Sequence, residues 1–524
     1  MLAITEKNAK RKTRRIRTMI NLLDPRCSSP ETVSKLRRFT CVGEFVNFVY
    51  DQYKDKVALI DSGVEYTYED FEKRIGAIRK ALKESGIKIG DKVGVFYPNS
   101  VDFIFAAMAI TSYGAVAVAL PYHLDEKTLY GCSLKFQMSA VIYDKVSEEK
   151  LALAYQLNAN LKKIVSNDIN EGYEPANMVD GDAPCAIVFT AGTTGQSKGA
   201  LLSHKAILTG TFNSCLGYKE RSVFGDRYFL VLPLTHIFGY IRNMMASLYT
   251  GSVLYVCRDT KNMFREIPAF NPTVMIMVPA LCEMALGLTK VMGSKILGNS
   301  LNLIVTGAAV VAPHLAREFA KLGVTLLAGY GLTESSNLVS GNPNTLDNPT
   351  SVGYFYPNID YKVVDGELWI KGDNVLTCYY NDPEETAKAF EDGYFKTGDL
   401  VRIDEDGYIY IVGRIKDIIV LSSGENIAPE ELESKFRELD CVRDCLIYKG
   451  VNDNGVEALI FEMTPRLDVL KELGVQNIEE YCIQKVNEVN STLVNYKKIS
   501  KIIIRTEDFE RTPSMKIKRP RNVL

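Results

Sequence analysis

The segment Thr190-Ala191-Gly192-Thr193-Thr194-Gly195-Gln196-Ser197-Lys198-Gly199 follows directly on the apolar run Ala186-Ile187-Val188-Phe189. Its glycines let the backbone approach a polyanion, Thr190, Thr193 and Thr194 offer short hydroxyl donors, and Lys198 adds a mobile positive charge. Together they describe a phosphate cradle at a strand end. The G-x-x-x-x-G-K-[ST] order of a Walker loop is absent, so a nucleotide switch or motor is not indicated. Two more apolar runs open the same way: Leu303-Ile304-Val305 into Thr306-Gly307-Ala308-Ala309, and Val324-Thr325-Leu326-Leu327 into Gly329-Tyr330-Gly331-Leu332-Thr333-Glu334. Tyr330, set between glycines, can present its ring to a purine, Thr333 can reach a phosphate, and Glu334 can hold a magnesium ion that phosphates also bind.

Loops of this kind need strands to carry them to one place. From about residue 40, helical patterns such as Tyr68 to Lys83 alternate with short apolar runs such as Lys92 to Phe96, Val116 to Leu120 and Ala140 to Ile142. That alternation predicts an α/β fold of doubly wound, mostly parallel sheets, whose ligands lie beyond the carboxyl ends of the strands. After Tyr408 to Val412 and Gly413-Arg414 the character changes. A loop, Ser422-Ser423-Gly424-Glu425-Asn426, leads to Pro429, suited to the first turn of a helix whose Leu432, Phe436 and Leu439 share a face. The expected organisation is a basic tail over 1–30, a large domain over 31–413 and a smaller mobile α+β domain over 414–524.

The 524 residues are too many for a single core, and 46% hydrophobic with 24% charged residues is a globular composition. A net charge of −2 gives no overall basis for binding nucleic acid. The eleven cysteines include no CxxC pair and there are four histidines, so no zinc site of ordinary spacing assembles locally. Without a signal-peptide pattern or an apolar stretch of spanning length, the expected location is the cytoplasm. Lys7, Lys10, Arg11, Lys12, Arg14, Arg15 and Arg17 against the single Glu6 read as a solvated terminus, or at most as a peripheral contact with anionic lipid.

The loops resemble those of the adenylate-forming superfamily of acyl- and aryl-CoA synthetases, luciferases and nonribosomal peptide adenylation domains. The resemblance runs from about residue 40 to about 520. It rests on Thr190 to Gly199, Pro233-Leu234-Thr235-His236-Ile237-Phe238-Gly239, Gly329 to Glu334, Gly366 to Gly372, Tyr394-Phe395-Lys396-Thr397-Gly398-Asp399, Gly413-Arg414 and Thr512-Pro513-Ser514-Met515-Lys516, in family order. It implies that ATP and Mg2+ activate a carboxylic acid as acyl-AMP with release of pyrophosphate. The acyl group then passes to CoA, or alternatively to the phosphopantetheine of an acyl carrier protein; a nucleotide-binding pseudoenzyme is the second alternative.

Under the same resemblance Lys516, His236, Thr333 and Glu334 are catalytic, with Glu334 the metal ligand. Thr190, Gly192, Thr193, Thr194, Gly195, Lys198, Gly307, Ala308, Gly329, Tyr330, Gly331, Asp399 and Arg414 hold the nucleotide. Lys416 is the hinge, and Ser423, Gly424 and Glu425 form the CoA loop. The chain departs from the family at Ala191, Ser197, Cys378 and Met515, none of which removes a charge. His236 and Phe238 stand where peptide adenylation domains carry an aspartate for the substrate's amino group. With Asp226 the nearest acid, a buried ammonium would lack a partner, so a fatty or other non-amino acid is expected. Arg242, just beyond, is read as a surface residue or an internal ion pair rather than a contact to a polar acyl group.

Overall fold

The computed structural model describes residues 22–169, 171–190, 198–219, 221–421, 425–511 and 517–519. Two sheets dominate the large N-terminal domain. The first has nine strands, in the order Tyr354–Phe355, Ser340–Gly341, Thr325–Tyr330, Leu303–Thr306, Val274–Met277, Arg227–Leu230, Val253–Val256, Val57–Asp61 and Val64–Thr67. Its strands are parallel from Thr325–Tyr330 to Val57–Asp61 and antiparallel at both edges. The second has seven, in the order Cys378–Tyr379, Gly199–Ser203, Pro184–Phe189, Val116–Ala119, Lys92–Phe96, Met138–Tyr143 and Lys162–Val165. It is parallel except where Gly199–Ser203 runs against its neighbours. The expected mixed α/β architecture is present.

The helix Val101–Tyr113 explains how the sheets share a core. It is apolar around its whole circumference, as only a helix buried on all sides can be, and it packs on strands of both sheets. Ser100 caps it by accepting the Phe103 N–H at 3.3 Å, and Gly114 ends it with φ +86°. The amphipathic helix Tyr68–Glu84 covers it, started by the reciprocal Thr67 and Asp70 capping box.

A third, antiparallel sheet of Asp360–Val364, Glu367–Lys371, Phe390–Glu391, Tyr394–Ile403 and Ile409–Arg414 completes the large domain. Its first hairpin turns at Asp365-Gly366, both with positive φ, the Asp-Gly signal of a tight hairpin. The smaller C-terminal domain has its own core, including Ile419, Leu432, Phe436, Phe461 and Val486. There the strands Val442–Val451 and Glu457–Pro465 pair antiparallel, Ile499–Ile504 lies parallel beside them, and the helix Pro429–Phe436 buries Leu432 and Phe436 as its spacing requires. Between the domains run polar contacts: Lys290 to Asp468 at 2.9 Å, and Arg466 beside Glu283 and His314.

The basic residues Lys7 to Arg17 lie outside the described residues. At the end of the expected tail Leu22, Cys27 and Ser28 are buried and the Ser29 N–H donates to the Tyr218 carbonyl at 3.0 Å, while Pro25 and Arg26 between them are exposed. All eleven cysteines are free and all but Cys378 are buried. No helix among the described residues is long and apolar enough to cross a membrane.

His204 joins two elements of the large domain. The helix Val42–Tyr53 has no side-chain cap at Cys41, and the buried His204 Nδ1 supplies one by accepting the Val42 N–H at 3.2 Å. Burial lowers the His204 pKa to about 4. Between about pH 6.5, where an unfolded histidine titrates, and pH 4 the unfolded chain takes up a proton that the folded chain refuses. Stability therefore falls with acidification across this window. His204→Gln, which keeps an acceptor without a titrating ring, is expected to flatten the fall in melting temperature over that range; parallel wild-type and variant curves would contradict the assignment.

Candidate active site

Among the described residues, the expected nucleotide-site residues lie at or just beyond strand ends, where the local geometry holds them. Beyond Pro184–Phe189 the chain leaves the sheet and returns at Gly199–Ser203, with the Thr190 N–H donating to the Lys198 carbonyl at 2.9 Å. Gly192, Thr193, Thr194 and Gly195 fall between these points and lie outside the described residues. The Lys198 ammonium pairs with the Glu385 carboxylate and sits 4.8 Å from the centre of the Tyr379 ring. Lys198, with Lys388 adding to it, holds the Glu385 carboxyl at about 2. The Tyr379 hydroxyl donates to Glu334 Oε1 at 2.8 Å. One tyrosine thus links the lysine of the first loop to the carboxylate of the third.

Side chains are excluded where these loops approach one another. A Cβ on Gly331 would lie 1.3 Å from the Asn337 carbonyl oxygen, on Gly307 2.9 Å from the Gly329 oxygen, and on Gly329 3.1 Å from the Ser340 oxygen. Ala308 follows Gly307 with φ +67°, in the left-handed region. Thr333 is buried in the short turn Thr333–Ser335, and Glu334 is half-buried beside it. The turn carrying His236 docks on the same strand ends. Asn99 clasps it through Nδ2 to the Leu232 carbonyl and Oδ1 to the Leu234 N–H, both 2.9 Å. His236 Nδ1 accepts the Phe238 N–H at 3.2 Å, and the Phe238 ring comes within 3.8 Å of where a Gly307 Cβ would stand.

Asp399 is 1% exposed, yet two polar side chains of the site converge on it. Its Oδ2 accepts the Tyr330 hydroxyl at 2.5 Å and its Oδ1 lies 2.8 Å from Arg414 Nε. The pairing follows from register, because Asp399 stands opposite Arg414 in the antiparallel strands Tyr394–Ile403 and Ile409–Arg414. Burial, with the Asp399 charge adding to it, raises the Tyr330 phenol well above its ordinary value. The strand-end loop that carries Tyr330 and the last strand of the large domain therefore meet at one carboxylate.

Lys416 lies in an exposed turn, Ile415–Asp417, immediately after that strand. Glu425 is half-buried, its carbonyl accepting the Leu421 N–H at 3.1 Å, while Ser423 and Gly424 lie outside the described residues. Lys516 also lies outside them; Arg511 and Ile517 on either side form an antiparallel bridge.

Sequence reasoning missed Tyr379 and Glu385, although the Asp382-Pro383 helix start marks the segment that delivers Glu385. Arg519 forks onto the fully buried Glu433 with two contacts of 2.8 Å. Arg242 is not at the surface, and among the described residues it makes no ion pair: it is 5% exposed and bonded to neutral oxygens.

Residues 48–380 match the family described as AMP-binding enzyme, and residues 416–523 match the AMP-binding enzyme C-terminal domain. The sequence is similar to 4-coumarate–CoA ligase-like 6 of Arabidopsis thaliana, 27% identical over 519 residues that cover 88% of this chain and 86% of the relative. It is also similar to the medium-chain fatty-acid–CoA ligase of Escherichia coli strain K12, 28% identical over 440 residues that cover 75% of each. An anthranilate CoA ligase, AuaEII, solved with anthranoyl-AMP, shares the fold with a TM-score of 0.80 at 21% identity, over 92% of this chain and 96% of that one.

Tyr330→Phe removes one of the donors to a carboxylate that water cannot reach. The expected loss is about 1–3 kcal/mol of stability, read from the denaturant midpoint, as for a buried charged group deprived of a hydrogen bond; an unchanged midpoint would contradict the clamp.

Proposed function

This chain belongs to the AMP-binding enzyme family and is an AMP-forming acid–thiol ligase, and from that premise we propose that it joins a non-amino carboxylic acid to CoA through an acyl-AMP intermediate. The observation that carries this reading is the buried Asp399, bracketed by Tyr330 and Arg414 at the meeting point of the glycine loops. A carboxylate with two oxygens suits the two hydroxyls of a ribose. The side-chain-free backbone at Gly307, Gly329 and Gly331 suits a ligand held against the main chain, with the Tyr330 ring beside it. Thr190, Thr333 and Lys198 supply donors and charge for the phosphates.

Glu334 fits a magnesium ion, which takes few carboxylates and keeps oxygen ligands from phosphate and water; bound there, the ion would offset phosphate charge. In the first half-reaction a carboxylate oxygen of the acid attacks the α-phosphorus, the bond to the β-phosphate bridging oxygen breaks, and pyrophosphate leaves. His236, at the edge of the turn docked on Gly307, orients that carboxylate. Lys516 neutralises the carboxylate and α-phosphate as they approach, two anions that would otherwise repel. In the second half-reaction the CoA sulfur attacks the acyl carbon and AMP leaves. Ser423, Gly424 and Glu425 serve the thiol in this step, and Lys416 is the pivot on which the small domain turns between the two steps. The names of the similar CoA ligases support CoA as acceptor over a carrier protein.

Given ATP, magnesium and its acid, the enzyme is expected to form AMP and pyrophosphate, and Lys516→Ala to lower that rate by ~100-fold or more, as for loss of one transition-state contact. The same variant should convert supplied acyl-AMP to thioester at near the wild-type rate. ADP as product would exclude adenylation, and equal failure in both steps would exclude this role for Lys516.

Lys416→Pro, which fixes φ at the pivot, should spare acyl-AMP formation and slow thioester formation. Loss of both steps in equal measure would remove the pivot from Lys416.

A further inference from the structure

Arg242 lies six residues beyond His236, in the π-helical turn Tyr240–Met245, and is 5% exposed. Its Nη1 donates to the Ser214 carbonyl at 2.6 Å and the Tyr218 hydroxyl at 2.7 Å, and its Nη2 to the Tyr356 hydroxyl at 3.4 Å. The buried Nε has no partner. Among the described residues Arg242 makes no ion pair. The titratable groups bearing on it are Tyr218, Tyr356, Tyr228 and Cys215, and all stay neutral at physiological pH. Burial pushes Tyr218 and Cys215 up to about 12 and raises Tyr356 and Tyr228 as well. Asp226, the nearest acid upstream among the described residues, is engaged by Arg221 and by the Thr273 hydroxyl.

A guanidinium buried without a counter-charge is costly, and an unpaired buried ion of this kind is strongly destabilising. Its fork is shaped for a carboxylate, which accepts two parallel N–H bonds. Its place in the fold says where such an anion would come from. Gly329 pairs with Gly341 across adjacent strands, and Gly307 stands at the end of the next strand. A Cβ on Gly307 would meet the Phe238 ring at 3.8 Å, and a Cβ on Gly341 would meet the Tyr356 hydroxyl at 2.9 Å. Gly307, Gly329 and Gly341 thus belong to three neighbouring segments of one sheet, with the His236 turn packed on the first and the tyrosine that Arg242 holds packed on the last.

We propose that Arg242 is a specificity-determining residue that binds a second carboxylate at the distal end of the acyl substrate, so that the enzyme's acid is a dicarboxylic acid activated at one end only. The inference rests on the acid–CoA ligase reading. The carboxylate at the His236 end reacts; the other is matched by the Arg242 guanidinium, including its unpartnered Nε, with the Tyr218 and Tyr356 hydroxyls beside it. A monocarboxylic acid of the same length would place a methyl group against a bare cation.

The test measures kcat/KM by pyrophosphate release for matched pairs of straight-chain mono- and dicarboxylic acids over a range of lengths, with wild type, Arg242→Met and Arg242→Lys. The wild type should favour the best dicarboxylic acid over its monoacid partner by ~100-fold or more, the scale of a desolvated charge pair. Arg242→Met should reverse that order, a result that loss of a merely structural arginine would not produce. Arg242→Lys, which keeps the charge without the fork, should retain part of the preference. Should Arg242→Met fail to fold, the wild-type order and the lysine variant decide the matter. A wild-type preference for the monoacid at every length, or a preference unchanged in the variants, would overturn the inference while leaving adenylation intact. Absence of pyrophosphate with every acid would overturn the adenylation reading itself.

Discussion

The Asp399 carboxylate, buried between the Tyr330 hydroxyl and the Arg414 guanidinium, is the contact on which the site depends. It fastens a loop at the end of the nine-stranded sheet to the antiparallel sheet, at the last strand before the small domain. A charged group at 1% exposure is tolerated only when its oxygens are matched, so these three residues fix one another's positions. The glycines around them have a complementary task. Gly331 tolerates no Cβ, which brings the turn against Asn337 and leaves main chain, not side chains, facing the cleft.

Much of this was legible in the sequence because it is local. The alternation of apolar runs with amphipathic helices specifies parallel strands, and glycine, threonine and lysine at strand ends are the basis of the proposed polyanion site. The helix Pro429–Phe436 follows from a proline, two acids and the spacing of Leu432 and Phe436. Partnerships across long stretches of chain were not legible. Lys198 meets Glu385 because the distant strands Gly199–Ser203 and Cys378–Tyr379 pair within one sheet, and Arg242 meets Tyr356 across more than a hundred residues of chain, and no periodicity records either. Arg519 looked like one of several late basic residues, and only its fork onto Glu433 separates it from Lys518, which pairs with the exposed Glu510.

The contacts between the domains suit the proposed alternation between half-reactions. Lys290 with Asp468, and Arg466 with Glu283 and His314, are polar and in part solvent-exposed. Pairs of this kind contribute little net stability and can be exchanged without exposing a hydrophobic core. Each domain keeps its own apolar cluster, so movement at Lys416 need not disturb either.

The central claim is that this cleft forms an acyl-AMP before any thiol is needed. It is tested most directly by exchange of labelled pyrophosphate into ATP with magnesium and acid present and CoA withheld. Exchange should require the acid and proceed without CoA. Exchange that appears only when CoA is added, or none alongside formation of ADP and phosphate, would contradict it.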